Sequence, residues 1–201
     1  MTTPLSTSAS PPPRRTGEGR LPGDLDPRSL VERILRVDHA GEYGAKRIYE
    51  GQLAVLRRRN DPASQRAQTL IRHMAAQENA HLEAFQKMLP ARRVRPTVLL
   101  PLWHVAGFAL GAATAALGPR AAMACTVAVE EVIDAHYAAQ AAQLGEDESE
   151  LRQSIETFRS EEVEHRDTAV EEGGRDVAGF PVLSSAVKLG SRVAIWLSER
   201  A

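Results

Sequence analysis

The chain has 201 residues, of which 43% are hydrophobic, and this length suffices for one sizeable core but hardly for two. Its 25 Lys and Arg balance 26 Asp and Glu, and only 4% of the residues are aromatic, so neither a basic surface nor a stacking platform for nucleic acid is indicated. The single cysteine excludes an intramolecular disulfide framework and any metal site built from four cysteines.

The pattern of caps and breakers predicts an all-α chain. Residues 1–26 are rich in Pro, Ser and Gly and are predicted to form a disordered tail, which leaves a single domain over residues 27–201. Alternating strand patterns joined by tight Asn-Gly or Asp-Gly turns are absent from the sequence, whereas helix starts and stops recur at regular intervals. Six helices are predicted, at about 26–58, 62–89, 97–117, 119–145, 147–172 and 181–199.

The third predicted helix is unusually apolar. Residues 97–118 carry no formal charge over a length that could cross a bilayer. Pro101 and His104 interrupt this segment and small residues fill its second half, so a buried or membrane-surface helix is predicted instead of a membrane span. Gly107 and Gly111 form a GxxxG pair, which lets another backbone approach closely.

A candidate metal-binding pattern occurs twice. Glu78 and His81 lie three positions apart in the second predicted helix, so their side chains project from the same face and can reach one metal. The fifth helix repeats this Glu-x-x-His spacing, and the helix before each of the two carries a single candidate carboxylate. The six candidate ligands are Glu42, Glu78, His81, Glu130, Glu162 and His165.

The spacing of the two repeats indicates a duplicated helical hairpin. Glu42 and Glu78 are 36 positions apart, and Glu130 and Glu162 are 32 positions apart, so two antiparallel helix pairs would bring all of them to similar heights. Four glutamates and two histidines form the ligand set of ferritin-like di-iron bundles. Four buried carboxylates would be very costly without cations, and the mixed oxygen and nitrogen donors suit iron or manganese.

Alternatives to these assignments remain open from the pattern alone. Glu161 lies four residues before His165 and could replace its neighbour, and Glu131 could replace the glutamate before it. Asp38 and Asp134 each lie four residues from a candidate ligand and could accept hydrogen bonds around the metals, or they could be surface acids. A bundle with ordinary surface acids is the alternative to the whole site.

Four stretches of the chain resemble one enzyme family. RILRVDHAGEYGAKRIYEGQLAVL, RVRPTVLLPLWHVAGFALGAATAALG, AMACTVAVEE and SRVAIWLSER are similar to the demethoxyubiquinone hydroxylases, and the resemblance extends from about residue 30 to residue 200. It implies a ferritin-like four-helix bundle with additional membrane-surface helices. It also places the family's iron ligands on the six candidate residues, and so selects Glu130 and Glu162 over their neighbours.

The resemblance further implies a reaction. A 3-demethoxyubiquinol 3-hydroxylase would use two iron ions, O2 and NADH to hydroxylate a polyprenylated methoxy-methyl-benzoquinol, a late step of ubiquinone biosynthesis. His136 and Tyr137 match family positions on the substrate side of the site. Tyr137 lies seven residues after Glu130 and so faces the same side of its helix, although an ordinary core tyrosine is the alternative.

The resemblance also predicts where such an enzyme works. It would associate peripherally with a membrane, on the cytoplasmic face of a bacterial cell membrane or the matrix face of the mitochondrial inner membrane. A ubiquinone-biosynthesis complex or a lipid-presenting protein is a possible partner. The alternative functions are a ferritin-like iron-storage protein, which would share the ligands, and a di-iron quinol oxidase, which would reduce O2 to water without inserting oxygen.

Overall fold

A computed structural model of the chain describes residues 14–201. Within that range it contains six α-helices and two short 3₁₀ turns, Glu146–Glu148 and Gly174–Asp176, and no β-strand, so the all-α prediction is confirmed. The six helices are α1 (Pro27–Leu56), α2 (Pro62–Ala91), α3 (Leu100–Ala116), α4 (Pro119–Ala141), α5 (Ser149–Glu171) and α6 (Phe180–Ser198).

The two long N-terminal helices begin where their capping residues predict. The Asp26 side chain accepts hydrogen bonds from the backbone nitrogens of Arg28 and Ser29 at 3.0 and 3.1 Å. Asp61 caps α2 in the same way, by accepting from the Ser64 nitrogen at 2.9 Å. In both helices a proline follows the cap, where its missing N–H costs nothing because the first amides of a helix have no partner within the helix.

Several predicted boundaries differ from the structure. The second helix was predicted to stop before Pro90, but it continues to Ala91. The buried Leu89 anchors this last turn, and a proline there removes only one backbone hydrogen bond. The fourth helix was predicted to reach Gly145 but ends at Ala141, because the Gly145 nitrogen donates to the Thr16 hydroxyl at 2.9 Å instead of continuing the helix.

Part of the predicted N-terminal tail contacts the helical domain. Residues 1–13 of that tail lie outside the described residues. Thr16 is buried, and both its backbone nitrogen and its hydroxyl donate to Asp147 Oδ1, at 2.7 and 2.9 Å. The segment that precedes α1 is therefore attached to the turn between α4 and α5.

Two helical hairpins form the bundle. α1 packs on α2, α4 packs on α5, and the two hairpins enclose a common interior. Apolar clusters fill both ends of this interior: one includes Leu35, Phe85 and Ile155, and the other includes Ile71 and Met123. α3 lies along α1 and α6 lies along α4, outside the four-helix core. This is the predicted ferritin-like arrangement with two additional helices.

The contact between α1 and α3 depends on glycines. A Cβ atom on Gly111 would overlap the carbonyl oxygen of Ile48, and one on Gly51 would overlap that of Phe108. A Cβ atom on Gly107 would lie 2.8 Å from the carbonyl oxygen of Gly44. The backbones therefore approach more closely than any side chain allows, as the GxxxG pair predicted.

Over residues 14–201, no helix is both long and apolar enough to cross a membrane. α3, which covers most of the uncharged segment, has 17 residues.

The glycine packing gives a stability prediction. We expect Gly111→Ala to lower the free energy of unfolding by about 2 kcal/mol or more, because the new methyl group must push two packed helices apart. Gly190→Ala is the matched control, because Gly190 is also helical and nothing lies within 4 Å of a Cβ added there. Alanine has a higher helix propensity than glycine, so this substitution should stabilise the protein by up to about 1 kcal/mol. Urea denaturation of both variants measures the difference, and equal stabilities would contradict the packing argument.

Candidate metal centre

The six predicted ligands converge in the middle of the bundle. One lies on α1, two on α2, one on α4 and two on α5, and each is no more than 3% exposed. They lie between the apolar clusters at the two ends of the bundle, so protein packs around them on all four helices. The structure thus brings together Glu42, Glu78, His81, Glu130, Glu162 and His165.

The ligand atoms form two overlapping groups. Within each group, one donor atom from each residue lies within 4.8 Å of the others, a span that one metal ion can bridge. Glu78 and Glu162 belong to both groups, whereas each remaining residue belongs to one. The first group is Glu42, Glu78, His81 and Glu162, and the second is Glu78, Glu130, Glu162 and His165.

Both imidazoles face the carboxylates through Nδ1. His81 Nδ1 lies 3.4 Å from Glu42 Oε2 and 3.3 Å from Glu162 Oε1. His165 Nδ1 lies 3.1 Å from Glu162 Oε2 and 3.4 Å from Glu78 Oε1. Glu162 therefore lies between the two rings, while each Nε2 points away from the centre.

Several of these buried atoms have no hydrogen-bond partner among the described residues. They are Glu42 Oε2, both carboxylate oxygens of Glu78, and His81 Nδ1. An unsatisfied buried polar atom costs about 1–3 kcal/mol, and more when it is charged, so four such atoms in one place need an explanation. Metal ions bound between the helices would supply the missing partners, and the donor set fits them.

The charges of the centre are unbalanced without cations. Burial and repulsion by Glu162 raise the pKa of Glu78 well above its usual range, and the same two causes raise the pKa of Glu130. Burial opposes ionisation of Glu162, but the two imidazoles outweigh it and lower its pKa to about 2. Burial likewise opposes protonation of His81, but Glu162 and Glu42 raise its pKa to about 11. The metal-free centre therefore retains protons that metal ions would displace.

Two tyrosines connect the hairpins at the centre. The Tyr49 hydroxyl donates to Glu130 Oε1 at 2.9 Å, and the Tyr137 hydroxyl donates to Glu42 Oε1. Each tyrosine lies seven residues after the glutamate of its own helix and binds the glutamate of the other. The sequence prediction included Tyr137 but not Tyr49, although both tyrosines follow the same Glu-x₆-Tyr pattern.

The alternative carboxylates lie outside both groups. Glu131 forms ion pairs with Arg175, at 2.7 Å, and with Lys188 on the outside of α4. Glu161 lies behind the first group, where its Oε2 is 2.8 Å from His81 Nε2.

The two aspartates proposed to accept hydrogen bonds near the metals differ in position. Asp38 is buried and accepts a hydrogen bond from Gln140 Nε2 at 2.7 Å, and its Oδ1 lies 3.6 Å from His136 Nε2. Asp134 instead pairs with Arg159 at 2.6 Å and is partly exposed.

The predicted cavity residues lie next to the cluster. His136 and Tyr137 line a small cavity of about 20 Å³ together with Glu42, Glu78, Glu130 and Glu162. A larger apolar cavity of about 300 Å³ adjoins it between α1, α3, α4 and α6. The two cavities share the lining residues Val37, Gly41, Ala45, Ile133 and Ile195.

Comparison with known proteins gives one consistent result. The profile of the family described as "Ubiquinone biosynthesis protein COQ7" matches residues 29–198. A relative from Rhodospirillum rubrum named "3-demethoxyubiquinol 3-hydroxylase" is 58% identical over 187 residues, which cover 93% of this chain and 86% of the relative.

Eukaryotic relatives are also similar over most of the chain. The Homo sapiens protein named "NADPH-dependent 3-demethoxyubiquinone 3-hydroxylase, mitochondrial" is 51% identical, over 86% of this chain and 79% of the relative. The Saccharomyces cerevisiae protein named "5-demethoxyubiquinone hydroxylase, mitochondrial" is 38% identical, over 86% of this chain and 78% of the relative. The name of the human relative specifies NADPH, whereas the family resemblance implied NADH.

The proton balance at the centre predicts how stability depends on pH. Between pH 7 and 8.5, folded His81 retains a proton that the unfolded chain releases above about 6.5, so the free energy of unfolding of the metal-free protein should fall as the pH rises. The raised pKa values of Glu78 and Glu130 have the same sign, because their protons also stabilise the folded state and are lost as the pH rises through their folded-state pKa values.

Urea denaturation of chelator-treated protein at several pH values in this range measures the slope. With saturating Mn²⁺ the slope should weaken or reverse, because metal binding removes these protons and tightens as the pH rises. A metal-free stability that is constant or increases over this range would contradict the charge assignment.

Proposed function

The chain belongs to the COQ7 family of ubiquinone biosynthesis proteins, and on this basis we propose that its buried centre is the di-iron site of a 3-demethoxyubiquinol 3-hydroxylase. The observation that carries the proposal is the pair of overlapping ligand groups, which share two glutamates. The relatives of the chain are named as hydroxylases, and a di-iron site can supply that chemistry. Such an enzyme is a monooxygenase: one atom of O2 enters the quinol ring, the other leaves as water, and a reductant supplies two electrons.

The residues divide naturally between two iron ions. Glu78 and Glu162 belong to both groups and would bridge the ions, while Glu42 with His81 and Glu130 with His165 would complete one position each. Iron, when bound, supplies the electron-transfer steps that reduce O2 and allow one oxygen atom to be inserted into the ring.

The surrounding chain orients this ligand set. The hydrogen bonds donated by Tyr49 and Tyr137 hold the two unshared glutamates in place from opposite helices. Phe158 stacks on the His81 ring with centroids 4.2 Å apart, which fixes the plane of that imidazole. The apolar clusters at both ends exclude water, so charges at the centre interact more strongly than they would in solvent.

The apolar cavity is the proposed binding site of the quinol. Its lining is mainly glycine, alanine and branched aliphatic residues, which suit an isoprenoid chain, and it adjoins the small cavity at the ligands. We place the ring beside His136 and Tyr137 and the polyprenyl tail in the larger cavity. A tail in this position leaves the protein between α3 and α6.

We also propose peripheral attachment to a membrane, which the same arrangement supports. A polyprenyl tail favours lipid by about 0.8 kcal/mol for each buried CH₂, so the enzyme must reach its substrate at the bilayer. The helices that line the cavity also expose large apolar side chains, namely Leu102, Val105, Leu189, Val193 and Trp196. The exposed basic residues Arg93 and Arg95 precede α3 and would meet lipid headgroups, whereas their neighbour Arg92 pairs with Glu148 at 2.5 Å.

The proposed enzyme also needs an electron donor and a cellular setting. The electron donor is a reduced nicotinamide nucleotide, for which the resemblance implied NADH and the human relative's name gives NADPH. The proposed partner is a protein of the same biosynthetic pathway or a lipid-presenting protein. The proposed location is the cytoplasmic face of a bacterial membrane or the matrix face of the mitochondrial inner membrane.

Removal of one bridging carboxylate tests the centre. We expect the wild-type protein to bind about two irons per chain and to convert a short-tailed demethoxyubiquinol into its hydroxylated product with NADH or NADPH. Glu162→Ala should lose both properties, because the residue belongs to both metal positions. Glu164→Ala, an exposed glutamate on the same helix, is the matched control and should retain both.

Product analysis separates the remaining functions. Bound iron without any oxygenated product would favour iron storage, whereas O2 consumed to water with quinol oxidised and not hydroxylated would favour a quinol oxidase. Absence of iron from the wild-type protein after iron-replete purification would contradict the metal centre.

A bulky residue between the two cavities tests the substrate route. Ala45 lines both cavities, and Ala45→Phe should reduce kcat/KM for the quinol by about 100-fold, because the ring can no longer reach the centre in a productive position. Its iron content should be unchanged. Ala109→Phe, at an exposed position of α3 that lines neither cavity, is the control. Equal activity of the two variants would place the substrate elsewhere.

A further inference from the structure

The outward-facing nitrogens of the two histidines have different partners. An imidazole that binds a metal through Nδ1 carries its proton on Nε2, and so donates a hydrogen bond from there. His81 Nε2 lies 2.8 Å from a carboxylate oxygen of Glu161, whereas His165 Nε2 lies 3.0 Å from the amide oxygen of Gln77. One ring therefore faces an anionic acceptor and the other a neutral one.

These two acceptors occupy equivalent places in the repeated hairpins. Gln77 directly precedes Glu78 on α2, and Glu161 directly precedes Glu162 on α5. They also meet across the helix interface, where Gln77 Nε2 donates to Glu161 Oε2 at 3.4 Å. The repeats thus agree in the type of each ligand and in the tyrosine that supports each unshared glutamate, but they differ in charge at this position.

We propose that Glu161 and Gln77 are positioning residues that make the two metal positions unequal, with the tighter position at His81. A carboxylate that accepts the Nε2 proton pulls it away from the ring and makes Nδ1 a stronger donor to the metal, and a neutral amide does so less. This inference rests on the proposed di-iron centre. According to this inference, the order of iron binding depends on two side chains, the Nε2 partners of the two histidine ligands.

The location of Glu161 suits this role. Its side chain is one-third exposed, so its charge needs no buried partner, yet its Oε2 lies 2.8 Å from Nε2 of the buried His81. Because Glu161→Gln preserves the shape and the acceptor oxygen, the substitution changes the charge at the imidazole and little else. Glu164→Gln removes the same charge from an exposed position on the same helix and is the matched control.

Isothermal titration calorimetry measures the two binding steps. The full-length, metal-free protein is titrated with Fe²⁺ under anaerobic conditions. The wild type should show two stepwise association constants for Fe²⁺. Their ratio should exceed the statistical ratio expected for two identical, independent sites. Glu161→Gln should lower the association constant of the tighter step by about 10- to 100-fold, so that the two affinities become similar. Gln77→Glu should raise the association constant of the weaker step by a similar factor. The double exchange should restore two unequal steps.

Mössbauer spectroscopy at one equivalent of ⁵⁷Fe²⁺ provides a readout independent of affinity. Wild-type protein and Glu164→Gln should show one predominant iron environment, Glu161→Gln a mixture of two, and the double exchange predominantly the other one. The inference is overturned if Glu161→Gln matches Glu164→Gln, or if it weakens both steps by the same factor. Equal steps in a wild type that binds iron and hydroxylates quinol would overturn this inference alone, whereas a wild type that binds no iron would overturn the proposed function.

Discussion

Four glutamates share one small buried volume, and their mutual repulsion is the constraint on which the rest of the structure depends. Without cations, two of the carboxyls have raised pKa values, and Glu162 alone has both imidazoles beside it. The bundle tolerates this arrangement because the ligands are spread over four helices whose ends are fixed by apolar clusters. Buried carboxylates of this kind contribute little to stability unless cations pair with them, so we expect metal binding at the proposed centre to be coupled to folding.

The repeated residue pattern explains why so much of the candidate centre could be predicted from the sequence. A repeat of the order Glu, then Glu-x-x-His, on helices of similar length places equivalent residues at equivalent heights, whichever side chains fill the core. The Glu-x₆-Tyr spacing obeys the same rule, since two helical turns return a side chain to the same face. Tyr49 could therefore have been identified from Tyr137, and each tyrosine reaches the glutamate of the other hairpin.

Other features depend on long-range packing that no local pattern records. Glu161 and Glu162 are both compatible with helical spacing to His165, and only the rotation of α5 in the bundle turns one inward and leaves the other behind His81. Likewise, the fourth helix ends early because Thr16, about 130 residues away in the sequence, accepts the amide hydrogen bond of Gly145. Propensity places such boundaries approximately, and tertiary contacts determine them.

The two added helices enclose the apolar cavity that we propose for the quinol, and a packing requirement determines how closely one of them approaches the bundle. α3 can lie against α1 only where glycines remove side chains, and one of these glycines, Gly107, also lines the apolar cavity beside the ligands. Trp103 on α3 donates to the Ser198 hydroxyl at 3.0 Å, which joins α3 to α6 at the edge of this cavity. A larger residue at Gly107 would both separate the helices and narrow the route to the centre. At Gly107 the stability of the outer helical layer and the width of the proposed substrate path therefore depend on the same small side chain.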